Sequence, residues 1–152
     1  MGSKFGREKF NARTGIDSRK QGTREERAVA GGKELLLFSF KDWDQNQCPP
    51  GQTFKEWEKA GLLSALAEKL VHLSQKNRIE ASQQQIIKVY GSFPPDSDFK
   101  VPAFIEGEVA WAVIEDVGGQ KHRVAGYIQD NVFYIVFLDK NHKFWKMQNV
   151  KG

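Results

Sequence analysis

The sequence has few of the residues that form covalent or metal cross-links. Its 152 residues include one cysteine, Cys48, so a disulfide within the chain is excluded. The three histidines do not combine with Cys48 in the spacing of a zinc site. Acids spaced two apart are more typical of solvated loops than of a cation site; such pairs are Asp42 and Asp44, Asp96 and Asp98, and Glu106 and Glu108. We therefore expect no metal and no other cofactor.

Long apolar runs and familiar catalytic motifs are also missing. No stretch approaches the roughly 20 apolar residues that a membrane helix needs, and the N-terminal residues lack the apolar segment of a secretory signal. The chain has no P-loop, no dinucleotide-binding glycine motif, no H-E-x-x-H and no G-x-S-x-G. These absences predict a cytoplasmic protein without membrane contact and disfavour the enzyme classes that those motifs mark.

Charge, by contrast, is abundant and unevenly distributed. Residues 1–33 hold nine Lys/Arg and four Asp/Glu, residues 34–116 hold eight and thirteen, and residues 117–152 hold six and two. The basic blocks can meet phosphate, and the acidic block can meet a basic partner. Residues 1–33 have no apolar period and are expected to form a disordered basic arm, either a solvated tail or a nucleic-acid-binding segment. Residues 34–152 are expected to form a single domain.

Two capping boxes predict the starts of two helices. The first, Thr53–Glu56, precedes apolar residues at three- and four-residue spacing, which predict a helix to about Ser74. Gly61 lies inside this segment and is expected to weaken the helix without ending it. The second, Asn77–Glu80, begins a helix expected to end at Gly91, a residue suited to the position after a helix.

Four segments have the length and composition of strands. An apolar run at 35–40 comes before the helices, and three strands follow a connection at 92–107; these are Val109–Asp116, His122–Gln129 and Val132–Leu138. The turns are expected at Gly118-Gly119 and Asp130-Asn131. The resulting order, β-α-α-β-β-β, predicts an α+β fold in which two helices pack on a mainly antiparallel sheet.

The last predicted strand ends in a cluster of titratable and cationic residues. His142 has Lys140, Lys143 and Lys146 close to it in sequence. Neighbouring cations should lower the pKa of His142 and favour the neutral imidazole. A neutral imidazole can take a proton from a ribose 2′-hydroxyl, while the cations stabilise negative charge on phosphorus. The alternative is an ordinary strand end with solvated lysines.

The residues beside this cluster extend the hypothesis. Lys121 and Arg123 open the neighbouring strand, so the hairpin should bring them to within about one strand spacing, roughly 5 Å, of the Asp139–His142 end. One phosphate could then contact both strands, although an Arg123–Asp139 salt bridge is an alternative and both can hold. Phe144 and Trp145 offer ring faces for a base, unless they close the core instead.

A family resemblance rests on these C-terminal motifs. The R-x-x-G-Y-I strand at Arg123–Ile128, the turn, the apolar strand and the H-x-F-W ending at His142–Trp145 resemble the RelE/ParE superfamily of toxins. The resemblance extends over residues 34–146 as a pattern of elements. It implies a small α+β fold and, in the ribonuclease members, cleavage of mRNA, usually in the ribosome. Other members inhibit DNA gyrase.

The resemblance also implies roles for individual residues. Arg123 matches the strand arginine and His142 the late histidine, and the terminal aromatic is matched by Phe144 or Trp145. We therefore predict a metal-independent endoribonuclease with His142 as general base or acid and with Arg123 and Lys140 stabilising the phosphorane. The remaining predicted RNA contacts are Lys121, Lys143 and Lys146.

A toxin of this kind implies an antitoxin protein as partner. Two alternatives remain open. The first is a non-enzymatic nucleic-acid-binding or gyrase-inhibitor-like protein on the same scaffold. The second is an interaction protein whose partner docks on the acidic middle of the chain.

Overall fold

The computed structural model describes residues 33–146, so almost all of the predicted basic arm lies outside the described residues. The described part forms eight elements in the order β-α-α-α-β-β-β-β. They are β1 Leu37–Ser39, α1 Phe54–Lys59, α2 Leu63–Ser74, α3 Arg78–Gln83, β2 Ile87–Gly91, β3 Ala110–Ile114, β4 Arg123–Gln129 and β5 Val132–Asp139. The predicted α+β class is confirmed, but these residues form one more helix and one more strand than expected.

All five strands belong to one sheet in the order β1-β5-β4-β3-β2. The β1 strand pairs with β5 in parallel, and the other three pairings are antiparallel. The β4 and β5 strands lie inside the sheet, and most of their residues are buried. A strand that is covered on both faces reads as a continuous apolar run, as Val132–Asp139 does. The C-terminal hairpin therefore lies at the buried centre of the sheet.

The first predicted helix is two helices. Its capping box forms as expected, with the Thr53 hydroxyl accepting from the Glu56 amide. However, α1 ends at Lys59, and Gly61 adopts a left-handed conformation with φ of 75°. The Leu62 amide donates to the Trp57 carbonyl at 2.8 Å, which is the pattern of a Schellman C-cap. The expectation that Gly61 would not end the helix was wrong, because this cap satisfies the carbonyls of the last turn.

The second predicted helix is a short helix followed by a strand. Its capping box also forms, but α3 ends at Gln83, and Gln85 has a φ of 60°. Residues 87–91 pair with β3 as an edge strand instead. This segment is rich in β-branched and aromatic residues. The backbone groups of residues 87–91 find hydrogen-bond partners along the edge of β3. The prediction of a helix to Gly91 was wrong because helical spacing of isoleucines does not exclude a strand.

Apolar side chains cover both faces of the sheet. The helices bury one face through residues such as Trp57, Leu66 and Leu73. Phe99 and Ile105, from the connection between β2 and β3, pack on the other face together with Phe144. This connection is thus part of the core. Within residues 33–146, no helix is long and apolar enough to cross a membrane.

Candidate functional site

The segment after β5 is held by a buried carboxylate. The Asp139 side chain has no exposed surface, and its two oxygens accept hydrogen bonds from the amides of Lys143 and Phe144, both at 2.8 Å. The amides that it binds lie just after His142, whose φ is 59°. Burial raises the pKa of Asp139, and the two amides oppose that rise. Asp139 therefore fixes the path of the chain on which His142 is carried.

A pocket of about 760 Å³ opens beside this loop. It contains four cationic side chains from three separate parts of the chain, together with His142 and two carboxylates. The cations are Lys69 on α2, Lys121, Arg123 on β4 and Lys143, and the carboxylates are Glu115 and Asp116. Four residues predicted from the sequence, Lys121, Arg123, His142 and Lys143, thus line one pocket. We call it the Arg123 pocket.

The four cations of the Arg123 pocket have no anionic partner among the residues that the structure describes. Within residues 33–146, none of them forms an ion pair, although two carboxylates line the same pocket. Glu115 instead pairs with Lys88 of β2 at 3.4 Å. A pocket with more unpaired cations than carboxylates attracts anions. Its volume is within the range of small-molecule sites and would admit a nucleotide.

Arg123 and Asp139 are register partners on β4 and β5. Within the described residues they form no salt bridge, because the Arg123 guanidinium donates to the Gln120 carbonyl at 2.9 Å. The Asp139 carboxylate is occupied by its two backbone amides. The salt-bridge alternative is therefore wrong, and the remaining donors of the guanidinium are available to a ligand.

The pKa of His142 is lowered, as expected. Burial is the main cause, followed by the positive charge of Arg123, and Lys121 acts in the same direction. Asp139 and Glu115 oppose the change. The direction was predicted from lysines nearby in sequence, whereas the cations responsible lie on and before the neighbouring strand. Either way, the neutral imidazole is favoured at pH 7.

Lys140 lies outside the Arg123 pocket. Its amide donates to the Gln52 side chain at 2.7 Å, and that oxygen also accepts from the Trp57 indole at 2.8 Å. Its side chain lines a second pocket together with Lys59 and Glu56 of α1. The structure therefore places Lys140 apart from Arg123 and His142, with which the sequence grouped it.

The two aromatic residues after His142 have different surroundings. Phe144 is 1% exposed and packs among Phe93, Trp111 and Phe137. It belongs to the core, so the predicted base stacking on Phe144 is wrong. The partly buried Trp145 stacks on Tyr90 of β2, with ring centroids 4.0 Å apart.

Lys146 forms an ion pair with Asp98 at 2.8 Å, so its predicted contact with RNA competes with an existing partner.

Sequence reasoning missed two neighbours of the site. Lys69 is one charged residue among several on a helix, and nothing in the sequence marks it. Tyr90 was assigned to a helix, and the β-branched and aromatic composition of residues 86–90 was the signal that could have placed it on a strand.

No cluster of three or more potential metal ligands occurs in the described residues. Comparison of the chain with protein-family models, with curated proteins and with solved structures gave no match.

Proposed function

We propose that the protein is a RelE-like toxin, an endoribonuclease that cuts mRNA in the cytoplasm, and that the Arg123 pocket is its active site. The observation that carries the proposal is the arrangement of His142, in the loop after β5, and Arg123, on β4, which line one pocket with Lys121 and Lys143. An imidazole that is neutral at pH 7 beside unpaired cations is suited to phosphoryl transfer from a ribose 2′-hydroxyl.

The proposed reaction is a transesterification within the RNA. His142 removes the proton from a ribose 2′-hydroxyl, the 2′-oxygen forms a bond to the adjacent phosphorus, and the bond from phosphorus to the 5′-oxygen breaks. The leaving oxygen takes a proton from solvent or from the protonated imidazole. The products are a 2′,3′-cyclic phosphate and a 5′-hydroxyl end. No metal enters this sequence of steps.

Arg123 would stabilise the charge that develops on phosphorus. Its position on the central strand β4 and its bond to the Gln120 carbonyl hold the guanidinium in place before substrate binds. Preorganised donors of this kind are worth more than mobile ones, because they need no reorganisation during the reaction. Lys121 and Lys143 would bind the flanking backbone. An acidic antitoxin segment that covers the same cations would silence the protein.

The test is cleavage of a single-stranded RNA by purified protein. We expect His142→Ala to lower kcat by at least about 100-fold and Arg123→Ala to lower it by roughly 100- to 1,000-fold, while RNA affinity persists in His142→Ala. His72→Ala is the matched control, since His72 is exposed on α2 and does not line the pocket. In cells, induced wild-type protein should arrest growth and create new mRNA ends by primer extension.

Phosphate binding without chemistry is the second candidate function. It is favoured by the finding that Lys140 and Phe144 do not lie in the Arg123 pocket, which leaves fewer groups for catalysis. In that case wild-type protein would bind RNA or DNA without cutting it. His142→Ala would then behave like wild type, and charge reversal at Lys121 and Lys143 would abolish binding. Growth arrest without new mRNA ends would support this candidate.

A further inference from the structure

A second pocket lies on the other side of the loop that carries His142. Its volume is about 620 Å³, and Lys59, Lys140, Glu56 and two prolines line it. Asn141 lines this pocket and the Arg123 pocket as well. The two pockets are therefore neighbours, separated by the loop from Lys140 to His142. We call the second one the Lys140 pocket.

The charges of the Lys140 pocket favour an anion. Within residues 33–146, neither Lys59 nor Lys140 forms an ion pair. The one carboxylate, Glu56, accepts a hydrogen bond at 2.8 Å from the Thr53 amide as part of the α1 capping box. Glu56 also senses the charge of Lys140, which contributes to the lowering of its pKa. Two lysines against one engaged carboxylate leave a positive balance.

The rest of the Lys140 pocket has surfaces that a base can contact. Pro49 and Pro50 present apolar ring edges in a loop that ends at the buried Gln52. The Gln52 side chain accepts hydrogen bonds from both the Lys140 amide and the Trp57 indole. These bonds connect the loop after β5 to α1 at one side of the pocket. A positively charged groove that follows the phosphate backbone is a general way to bind single-stranded nucleic acid.

We propose that single-stranded RNA crosses the loop from Lys140 to His142, with the phosphate to be cleaved in the Arg123 pocket and an adjoining nucleotide in the Lys140 pocket. This inference rests on the proposed function and makes an unpaired strand longer than a dinucleotide the preferred substrate. It makes Lys140 a binding residue that acts through affinity, in place of the catalytic role predicted from the sequence.

The test compares the double variant Lys59→Ala/Lys140→Ala with a control, Lys55→Ala/Lys76→Ala. The control removes two lysines that line neither pocket, one of them on the same helix as Lys59. Binding is measured by fluorescence anisotropy with an RNA octamer that carries 2′-O-methyl groups and cannot be cut. Cleavage is measured in parallel on the unmodified octamer and on a dinucleotide.

We expect the Lys59/Lys140 variant to bind the octamer about tenfold more weakly and to lose about 1.4 from the slope of log affinity against log salt, at about 0.7 per phosphate contact. Its KM for the octamer should rise while kcat, and dinucleotide cleavage, stay at the wild-type level. Equal octamer affinity in this variant and the control would overturn the inference, as would equal losses on octamer and dinucleotide. If wild type binds the modified octamer but never cuts RNA, the proposed enzyme fails while the binding groove stands.

Discussion

Arg123 and Asp139 face each other as register partners on β4 and β5, yet each binds a backbone segment on its own side. The guanidinium donates to the Gln120 carbonyl at 2.9 Å, and the carboxylate accepts two amides of the loop after β5 at 2.8 Å. A direct salt bridge would have neutralised both groups. Instead Asp139 orders the His142 loop, and Arg123 keeps donors for a ligand in the pocket.

The first prediction concerns this loop. Asp139→Asn should lower the free energy of unfolding by about 1 to 3 kcal/mol, because an amide side chain accepts at one atom only and leaves the other backbone amide unsatisfied. Urea unfolding measures the change. Asp130→Asn, in the exposed turn between β4 and β5, is the matched control and should change stability little. Equal stability of Asp139→Asn and wild type would contradict the role given to Asp139.

The second prediction concerns the titration of His142. Its pKa should lie below the usual histidine value. RNA cleavage should therefore fall only when the pH drops below this lowered pKa and the imidazole becomes charged. Lys121→Gln should raise the pKa of His142, because it removes a positive charge. Glu115→Gln should lower it further, because Glu115 favours the protonated form.

Proton NMR of the imidazole, assigned with His142→Ala, measures these shifts. A His142 pKa that is unchanged in both variants would show that neither Lys121 nor Glu115 affects it.

The third prediction concerns Gly126 in the centre of β4. A Cβ at this position would overlap the Tyr134 carbonyl and lie 2.9 Å from its carbon, beside a register shift between Ala125 and Gly126. Gly126→Ala should therefore destabilise the fold by about 3 kcal/mol or more, since backbone cannot move aside cheaply.

Gly61→Ala is the comparison for this variant. A Cβ at this position would have no atom within 4 Å. The free energy of unfolding should fall by only about 1 to 2 kcal/mol, the cost of a left-handed conformation in a residue with a side chain. Thermal unfolding ranks the two variants, and a smaller loss for Gly126→Ala would refute the close approach of β4 and β5.

The fourth prediction separates the two aromatic residues after His142. Phe144→Ala should cost about 3 to 5 kcal/mol, because it opens a cavity among buried rings. Trp145→Ala should cost less, because Trp145 is partly exposed and stacks mainly on Tyr90. Denaturant unfolding gives both values. Near-equal, small losses would mean that Phe144 is accessible to a ligand after all.

Local chemistry was readable wherever it depended on a few neighbouring residues. Both capping boxes form, at Thr53 and Asn77, and the turn at Asp130-Asn131 connects the two paired strands β4 and β5. The errors came where a short segment had two acceptable conformations. Residues 87–91 suit a helix by spacing and a strand by composition, and the open edge of β3 decided between them.

The candidate site was only partly readable for a related reason. Pairing of the two last strands follows from their turn, so the approach of Arg123 to the Asp139–His142 end could be predicted. The direction of each side chain after β5 could not be predicted. It depends on the turn that forms where the Asp139 carboxylate accepts hydrogen bonds from two backbone amides. Phe144 is buried at the end of this loop, and Lys140 lines a different pocket from His142.

The sequence by itself determined the α+β class, the central hairpin and the basic character of its open end, since these depend on periodicity, turn residues and local charge. Tertiary structure alone decided which cations share a pocket. Lys69 comes from α2 and Arg123 from β4, and only the packing of helix on sheet brings them together. Long-range packing is a property of the whole core, so no local pattern in the sequence records it.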